Sequence, residues 1–489
     1  MKKLFLIIAL AGFWGSLYSQ SAEDALIYSQ TFYTGTARSM AMGGAFGALG
    51  ADLSVASTNP AGMGLYRFSE YSITPAFNFN SAHSLYNGVG MDDNEINVGI
   101  DNLGFVSSRK IGDKNQKGWK YVQFAFGMNK MNGFNSSIDM QGPNAVNSRL
   151  DTYISNADGI NYNDIANNTN NNYTYFLQPA WDLYLIDTIP NHSDMYYSPV
   201  PYGGTYQRLL LNKSGAVNQW FFTVSANYDN ILYVGATLGF NSLKYVSNSY
   251  YSEVDAADTI PYFNSWGVDE KVETSGTGVN LKLGVIVQPA NWLRIGLAFH
   301  TPTYYWNMND TWQTNTHADL GWTSPSSISS PVGNFSYTLT TPMKILGDVG
   351  IIIGNYGSIS AEYERVDYST MKFNSSDYNF ATENSNIKGY YTVANNIRLG
   401  TEWRFGNTAL RAGYAYYGSP YASNLNNGAR NSVSGGIGFH LNNYSLDLAY
   451  VHSVQKQDYY MYGNQNITVN PANNIYKYNS YVFTVGYRF

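Results

Sequence analysis

The hydrophobic positions of this 489-residue chain recur at every second residue, most plainly at its end. Tyr481, Phe483, Val485, Tyr487 and Phe489 share one face there, and Ser480, Thr484, Gly486 and Arg488 share the other. Side chains along a strand alternate with period two, so one face of this segment suits lipid and the other suits water. Inside a bilayer no water can satisfy an open strand edge, so such a strand crosses only as part of a closed barrel. The pattern predicts an all-β fold, an antiparallel transmembrane β-barrel of about fourteen strands.

Alternation of this kind recurs at residues 70–79, 102–109, 119–128, 219–228, 231–244, 273–288, 291–300, 335–353, 357–367, 395–405, 408–417, 431–441, 444–454 and 479–489. Leu281, Leu283, Val285 and Val287 exemplify a lipid face, as do Leu293, Ile295, Leu297 and Phe299. Lys282, Arg294, His300, Lys344, Asp348, Glu362, Glu364, Arg398, Glu402, Arg404, Arg411, Asp447 and Arg488 fall on the opposite, lumen phase. Both signs occur, so mutual bracing is the first role to expect of them. Tight turns are predicted at Asp229-Asn230, Pro289-Ala290, Asn355-Tyr356, Gly406-Asn407 and Asn442-Asn443. Long connections are predicted over 81–101, 129–218, 245–272, 301–334, 369–394, 418–430 and 455–478. Bacterial barrels carry short turns on the periplasmic side and long loops outside, which places both termini in the periplasm.

Composition narrows the class. The chain is 16% aromatic with 44 Tyr and 46 Gly, yet only 13% charged, and its mean hydropathy of −0.28 suits neither a helical membrane protein nor an ordinary soluble enzyme. Lys2 and Lys3 precede an apolar run over 4–17, the layout of a signal peptide over 1–19. Without those two lysines, 26 basic residues face 34 acidic ones, a net of −8 that gives no reason to expect a nucleic-acid partner. There is no cysteine, hence neither a disulfide scaffold nor a lipidated N-terminal Cys. The six histidines show no metal spacing, and HExxH, Walker A and GxSxG signatures are absent, so neither cofactor nor metal is expected.

Two segments stand apart from the strands. Residues 20–68 hold no barrel strand but are rich in small and apolar residues over 36–51, followed by Asn59-Pro60-Ala61-Gly62, a composition that suits a compact plug inside the lumen. The longest connection, 129–218, contains an apolar stretch with Phe176, Trp181, Leu183 and Leu185. Such a stretch either folds onto the barrel rim or forms a surface that catches greasy ligands, and periodicity leaves both open.

The block 36–63, TARSMAMGGAFGALGADLSVASTNPAGM, resembles the N-terminal hatch of the FadL/TodX outer-membrane transporters. Blocks 278–303, 341–369, 397–405 and 408–421 are similar to that family in order and spacing, whereas 129–218 matches poorly. The resemblance implies a fourteen-stranded barrel (69–489) closed by a hatch (20–68) in the outer membrane of a Gram-negative bacterium. It further implies capture of long-chain fatty acids or aromatic hydrocarbons outside and passive, lateral release through an inward kink in the third strand. Carried onto this chain, Asn59, Pro60 and Ala61 shape the plug, and the kink falls near Gly127, Asn132, Gly133 and Phe134. Those glycines could equally just end the strand. If the cargo is a fatty acid, Arg294, Lys344 or Arg411 would hold its carboxylate. Ala51-Asp52-Leu53 departs from the family's frequent second acid.

Expected partners are therefore hydrophobic small molecules, the surrounding lipid and lipopolysaccharide, and the barrel-assembly machinery, for which terminal Phe489 resembles the recognition signal. A monomer is expected, and no enzymatic activity. Two other classes stay in view: a polar porin or haem-uptake barrel, and a rim-active enzyme or adhesin using His440, Asp447, His452 and Asp458.

Overall fold

The computed structural model describes residues 20–489 except 33, 113–116, 171–172, 199, 201–202, 423–424 and 465, so the expected signal peptide lies outside the described residues. Fourteen antiparallel strands close a barrel. They are β1 (Glu70–Tyr86), β2 (Val89–Lys110), β3 (Trp119–Gly133, resuming as Ser136–Asn144), β4 (Thr205–Tyr228), β5 (Leu232–Val254), β6 (Ser265–Ala290) and β7 (Leu293–His300, resuming as Tyr304–Asp319). The rest are β8 (Gly333–Thr340, resuming as Lys344–Ile353), β9 (Gly357–Asp367), β10 (Val393–Phe405), β11 (Thr408–Tyr417), β12 (Arg430–Leu441), β13 (Tyr444–Tyr459) and β14 (Ala472–Arg488). Each expected segment lies in one of these strands, in the expected order. Closure runs through β14 and β1, with Tyr487 opposite Tyr71 and Tyr481 opposite Phe77.

A belt of side chains remains exposed on the outer wall, including Phe77, Phe126, Phe222, Leu283, Leu297, Ile345, Leu399 and Leu448. That much exposed apolar surface is stable only against lipid. The strands run well past this belt, and here the structure corrects the expected connections. The segment 81–101 is not a loop: β1 and β2 stay in register up to Tyr86 opposite Val89, joined by Asn87-Gly88. Both turn residues have positive φ, 45° and 87°, as a two-residue hairpin turn of this hand requires. Much of 245–272, 301–334 and 455–478 is likewise strand. Beyond the bilayer neither face must be apolar, so alternation fades while the hydrogen-bond ladder continues. The segment 129–218 is part strand and part a folded cap containing helices Leu150–Ala157, Tyr162–Ala166 and Leu177–Asp182.

Strands β7 and β8 are both interrupted, at 301–303 and 341–343, where Pro302 and Pro342 cannot donate to a ladder. The two breaks are tied together by Thr341 N donating to Thr303 O at 3.0 Å.

Lumen charges pair in two buried groups. Arg398 Nη2 contacts Glu362 and lies 3.2 Å from Glu364 Oε2. Arg411 reaches Glu402 at 2.7 Å and Asp447 at 2.6 Å. Removing one partner strands the others in a low-dielectric interior. Arg398→Ala is expected to cost roughly 3–5 kcal/mol, read as a lower temperature for the gel-mobility shift of the folded barrel. Adding Glu362→Gln and Glu364→Gln should restore part of that loss.

Candidate functional site

The chain between Gln20 and Leu65 is a series of short, capped turns. Ser21 and Asp24 form a reciprocal capping box that starts helix α1 (Ala22–Ser29), and Thr36 caps α2 (Ala37–Ala41). Asp52 caps the 3₁₀ turn Leu53–Ser57, and Asn59 caps Pro60–Leu65, with Pro60 at its first position. Elements this short are unstable alone, so the lumen must hold them. Arg38 Nε donates to Glu402 at 2.9 Å, Asn59 Nδ2 to Asp348 at 2.8 Å, and Gly47 N to Glu362 at 3.2 Å. Lys282 donates to Ser57 O at 3.2 Å, and His300 Nε2 lies 2.6 Å from Thr58 O. The segment is therefore bound to β6, β7, β8, β9 and β10 at once.

Gly235 and Gly284, opposite each other on β5 and β6, make room for the Asn59-Pro60-Ala61 turn. A Cβ at Gly235 would lie 2.4 Å from Pro60 C, and one at Gly284 2.1 Å from Asn59 Oδ1. Gly62 O accepts from Ala51 N at 3.0 Å, which folds the segment back on itself.

Above this segment lies a cavity of about 500 Å³. Its floor is α1, through Ser21, Glu23, Asp24 and Ile27, and its walls include Phe176, Leu209, Leu211, Tyr245, Trp312 and Tyr459. Lys213 of β4 lines the same space. Among the described residues its ammonium has no hydrogen bond or ion pair, and Glu23 is the acid that bears on it electrostatically.

Between β2 and β3 the wall is incomplete. Strand β2 pairs with β1 along its length, but with β3 only from Asn102–Asn129 down to Lys110–Tyr121. The ladder between β3 and β4 is irregular between Lys130 and Asn132, and β3 breaks at 134–135. Its continuation carries Ile138 and Met140 onto Ala82 and Tyr86, on the lumen phase of β1. Residues 89–101 of β2 thus have a ladder partner on one side only, although Ile96, Val98 and Ile100 of that stretch are exposed on the outer wall. Lys130 Nζ spans the seam to Asp101 at 3.1 Å. The N-terminal segment reaches the same place: Phe32 N donates to Met131 O at 3.1 Å, and Asn132 Nδ2 to Gln30 O at 3.1 Å.

The structure distributes the sequence-predicted residues unevenly. Asn132, Gly133 and Phe134 lie at the break, whereas Gly127 sits in unbroken ladder opposite Gly104 and Phe221. Each expected carboxylate holder is already engaged inside the protein. Arg294 donates to Leu49 O at 2.7 Å, Lys344 contacts Thr31 Oγ1, and Arg411 binds Glu402 and Asp447. Of the apolar loop residues, Phe176 lines the cavity, Trp181 stacks on Tyr162, and Leu183 and Leu185 are buried in the cap. His452 Nδ1 contacts Asn479 and Asp458 accepts from Asn473, while Asp447, the carboxylate within electrostatic reach of His440, is already bound by Arg411. Sequence reasoning missed Lys213 because 129–218 read as loop. The signal was a cation on the same strand phase as Leu209 and Leu211.

A closed antiparallel wall, a lipid-facing belt and an N-terminal segment packed in the lumen define an outer-membrane-type β-barrel. Its fold is that of the FadL/TodX transporters, in line with the resemblance carried by the hatch and barrel blocks. No protein-family model matches the chain, and no curated protein matches it in sequence. A Pseudomonas aeruginosa FadL homologue is similar in structure with a TM-score of 0.56 at 12% identity, over 94% of this chain and 100% of that one. The Pseudomonas putida toluene transporter TodX gives 0.53 at 12% identity, over 94% and 100% of the two chains. The Ralstonia pickettii toluene transporter TbuX gives 0.51 at 16% identity, over 94% and 99%. At such identities the likeness establishes the fold.

Burial in the floor of the cavity raises the Asp24 carboxyl to about 7, opposed by its hydrogen bonds to Ser21. The docked helix therefore favours the protonated acid, while an undocked Asp24 ionises near its ordinary value of 3.8. Docking of α1 is fully favoured below that ordinary value and weakens as pH rises toward 7. Amide protection factors across Ala22–Ser29, corrected for the intrinsic base-catalysed rate, should accordingly be higher at pH 5 than at pH 8, and Asp24→Asn should flatten that difference.

Proposed function

We propose that this protein is a passive outer-membrane importer of hydrophobic compounds that bear an acidic group, such as long-chain fatty acids. Both chain ends then face the periplasm, and residues 20–68 act as the hatch. The observation that carries the reading is Lys213, an ammonium without a partner among the described residues, placed in an aromatic and aliphatic cavity. A half-buried cation on which Glu23 is the carboxylate that bears can still take a second anion, and a carboxylate is the anion that a greasy tail can deliver. The walls then contribute about 0.8 kcal/mol for each methylene they take from water. A cavity of about 500 Å³ is ligand-sized.

Cargo leaves sideways at the seam between β2 and β3. Backbone edges without partners are tolerated at membrane depth only where they line a cavity or are covered by protein. The one-sided stretch 89–101 is such an edge, and the displaced continuation of β3 supplies the room beside it. Lateral exit also keeps an apolar tail out of water. Two of the solved structures that share the fold, TbuX and TodX, are toluene transporters by name.

Lys213→Gln is expected to weaken oleate binding by about tenfold, the loss of one charge-assisted contact, and to leave binding of oleyl alcohol unchanged. Equal loss for both ligands, or for neither, removes Lys213 as the anchor. A Cβ at Gly133 meets only Lys130 Cε, at 3.5 Å, so Gly133→Val should fold normally. It should slow oleate uptake into cells several-fold, and normal uptake would sink the exit at this point.

A further inference from the structure

A second, smaller cavity of about 40 Å³ lies where the N-terminal segment passes the breaks in β7 and β8. Tyr28 to Thr31 cover it from one side, and Thr303, Thr341 and Pro342 border the interrupted wall. It shares no lining residue with the larger cavity, and it is too small for an alkyl chain. The charged side chains on its surface are Lys282 and Lys344, with His300 beside them, and no carboxylate lines it among the described residues.

The hydrogen bonds around this cavity run in one direction. An ammonium can only donate, and Lys282 donates to Ser57 O and to Gln219 Oε1. That fixes Gln219 Nε2 as a donor, shared between Asn241 Oδ1 at 3.0 Å and Asn280 Oδ1 at 3.2 Å. Asn280 passes the direction on, through Nδ2 to Thr303 Oγ1 at 2.8 Å. Asn241 does not: its Nδ2 has no hydrogen-bond partner among the described residues, although the residue is only 3% exposed. Ser29 Oγ, also buried, lacks a partner there too. The relay thus consumes the amide oxygens and leaves donors over, namely Asn241 Nδ2 and the third hydrogen of the Lys282 ammonium.

Charge points the same way. Lys344 bears electrostatically on Lys282, and Glu364, the acid that bears on both, is already bound to Arg398 at 3.2 Å and to Asn396 at 2.8 Å. Buried cations are costly without a counter-charge, and the hydrogen-bond partners of Lys282 are neutral. We propose that this cavity binds a small anion of chloride's size, which accepts from Asn241 Nδ2 and from the Lys282 ammonium. A metal cation would meet donors there, and a water would take the same hydrogens without balancing the charge. Bound in this place, the anion holds Tyr28 to Thr31 against the wall. Gln30 O accepts from Asn132 and Phe32 N donates to Met131 at the seam, and Met131 itself lines the cavity, so a filled cavity favours the segment in its docked position there.

Crystals of the full chain grown in sodium bromide should show an anomalous diffraction peak in this cavity, in contact with Asn241 and Lys282. In detergent, with sodium gluconate exchanged for sodium chloride at constant ionic strength, the apparent melting temperature should rise by roughly 1–2 °C for each tenfold increase in chloride beyond half-saturation. Asn241→Asp puts a carboxylate where the anion sits and keeps the oxygen that accepts from Gln219. That variant should melt no lower than the native protein in gluconate, and its dependence on chloride should vanish. Oleate binding that depends on Lys213 should be the same in chloride and in gluconate, so loss of the import reading would leave the bromide peak in place. A cavity that holds only water in bromide, a chloride dependence unchanged in Asn241→Asp, or displacement of the bromide by oleate would each overturn the anion site.

Discussion

Every amide that faces hydrocarbon must find a partner within the protein, and the rest of this structure follows from that requirement. It forces closure of β14 on β1, with Tyr487 beside Tyr71, so the two ends of the barrel sequence meet in one ladder. Closure encloses a lumen, and the lumen must be filled or lined. Deeply buried charges on the inward phase are paired in that space: Arg398 sits between Glu362 and Glu364, and Arg411 joins Glu402 to Asp447.

These braces also hold the N-terminal segment. Its turns are too short to persist alone, and they fold because wall residues complete their hydrogen bonds: Asp348 for Asn59, Glu402 for Arg38, Lys282 for Ser57. Small residues on the wall matter as much as charged ones. Gly235 and Gly284 let the Pro60 turn lie directly on the strands, where any Cβ would displace it. Segment and barrel are therefore one folding unit, and a change in either is felt at the seam, since Gln30 and Phe32 bond to the irregular stretch of β3.

The seam is the place where the pairing requirement is relaxed. β2 continues upward with β1 alone, and β3 bends onto the lumen face of the β1–β2 hairpin. The resulting edge adjoins the N-terminal segment, through Gln30 and Phe32, so segment and wall can influence one another through direct contacts.

Alternation by itself determined the class, the number and order of the strands and the lumen phase of the charges, because a lipid-facing surface imposes a period of two wherever a strand crosses the membrane. It could not determine strand length: the β1–β2 ladder runs on through 81–95 to the Asn87-Gly88 turn, with no sustained apolar face over those residues to announce it. Nor could it tell the cations engaged in hydrogen bonds or ion pairs from one that, among the described residues, has neither. Arg294, Lys344 and Arg411 share their phase with open lumen but are taken up by Leu49, Thr31 and Asp447, contacts between residues far apart in the chain. Lys213 differs from them only in what the tertiary fold sets around it, a cavity roofed by the cap and floored by α1. Local periodicity encodes which solvent each face meets; which polar group is left for a ligand depends on long-range partners, and only the assembled barrel supplies them.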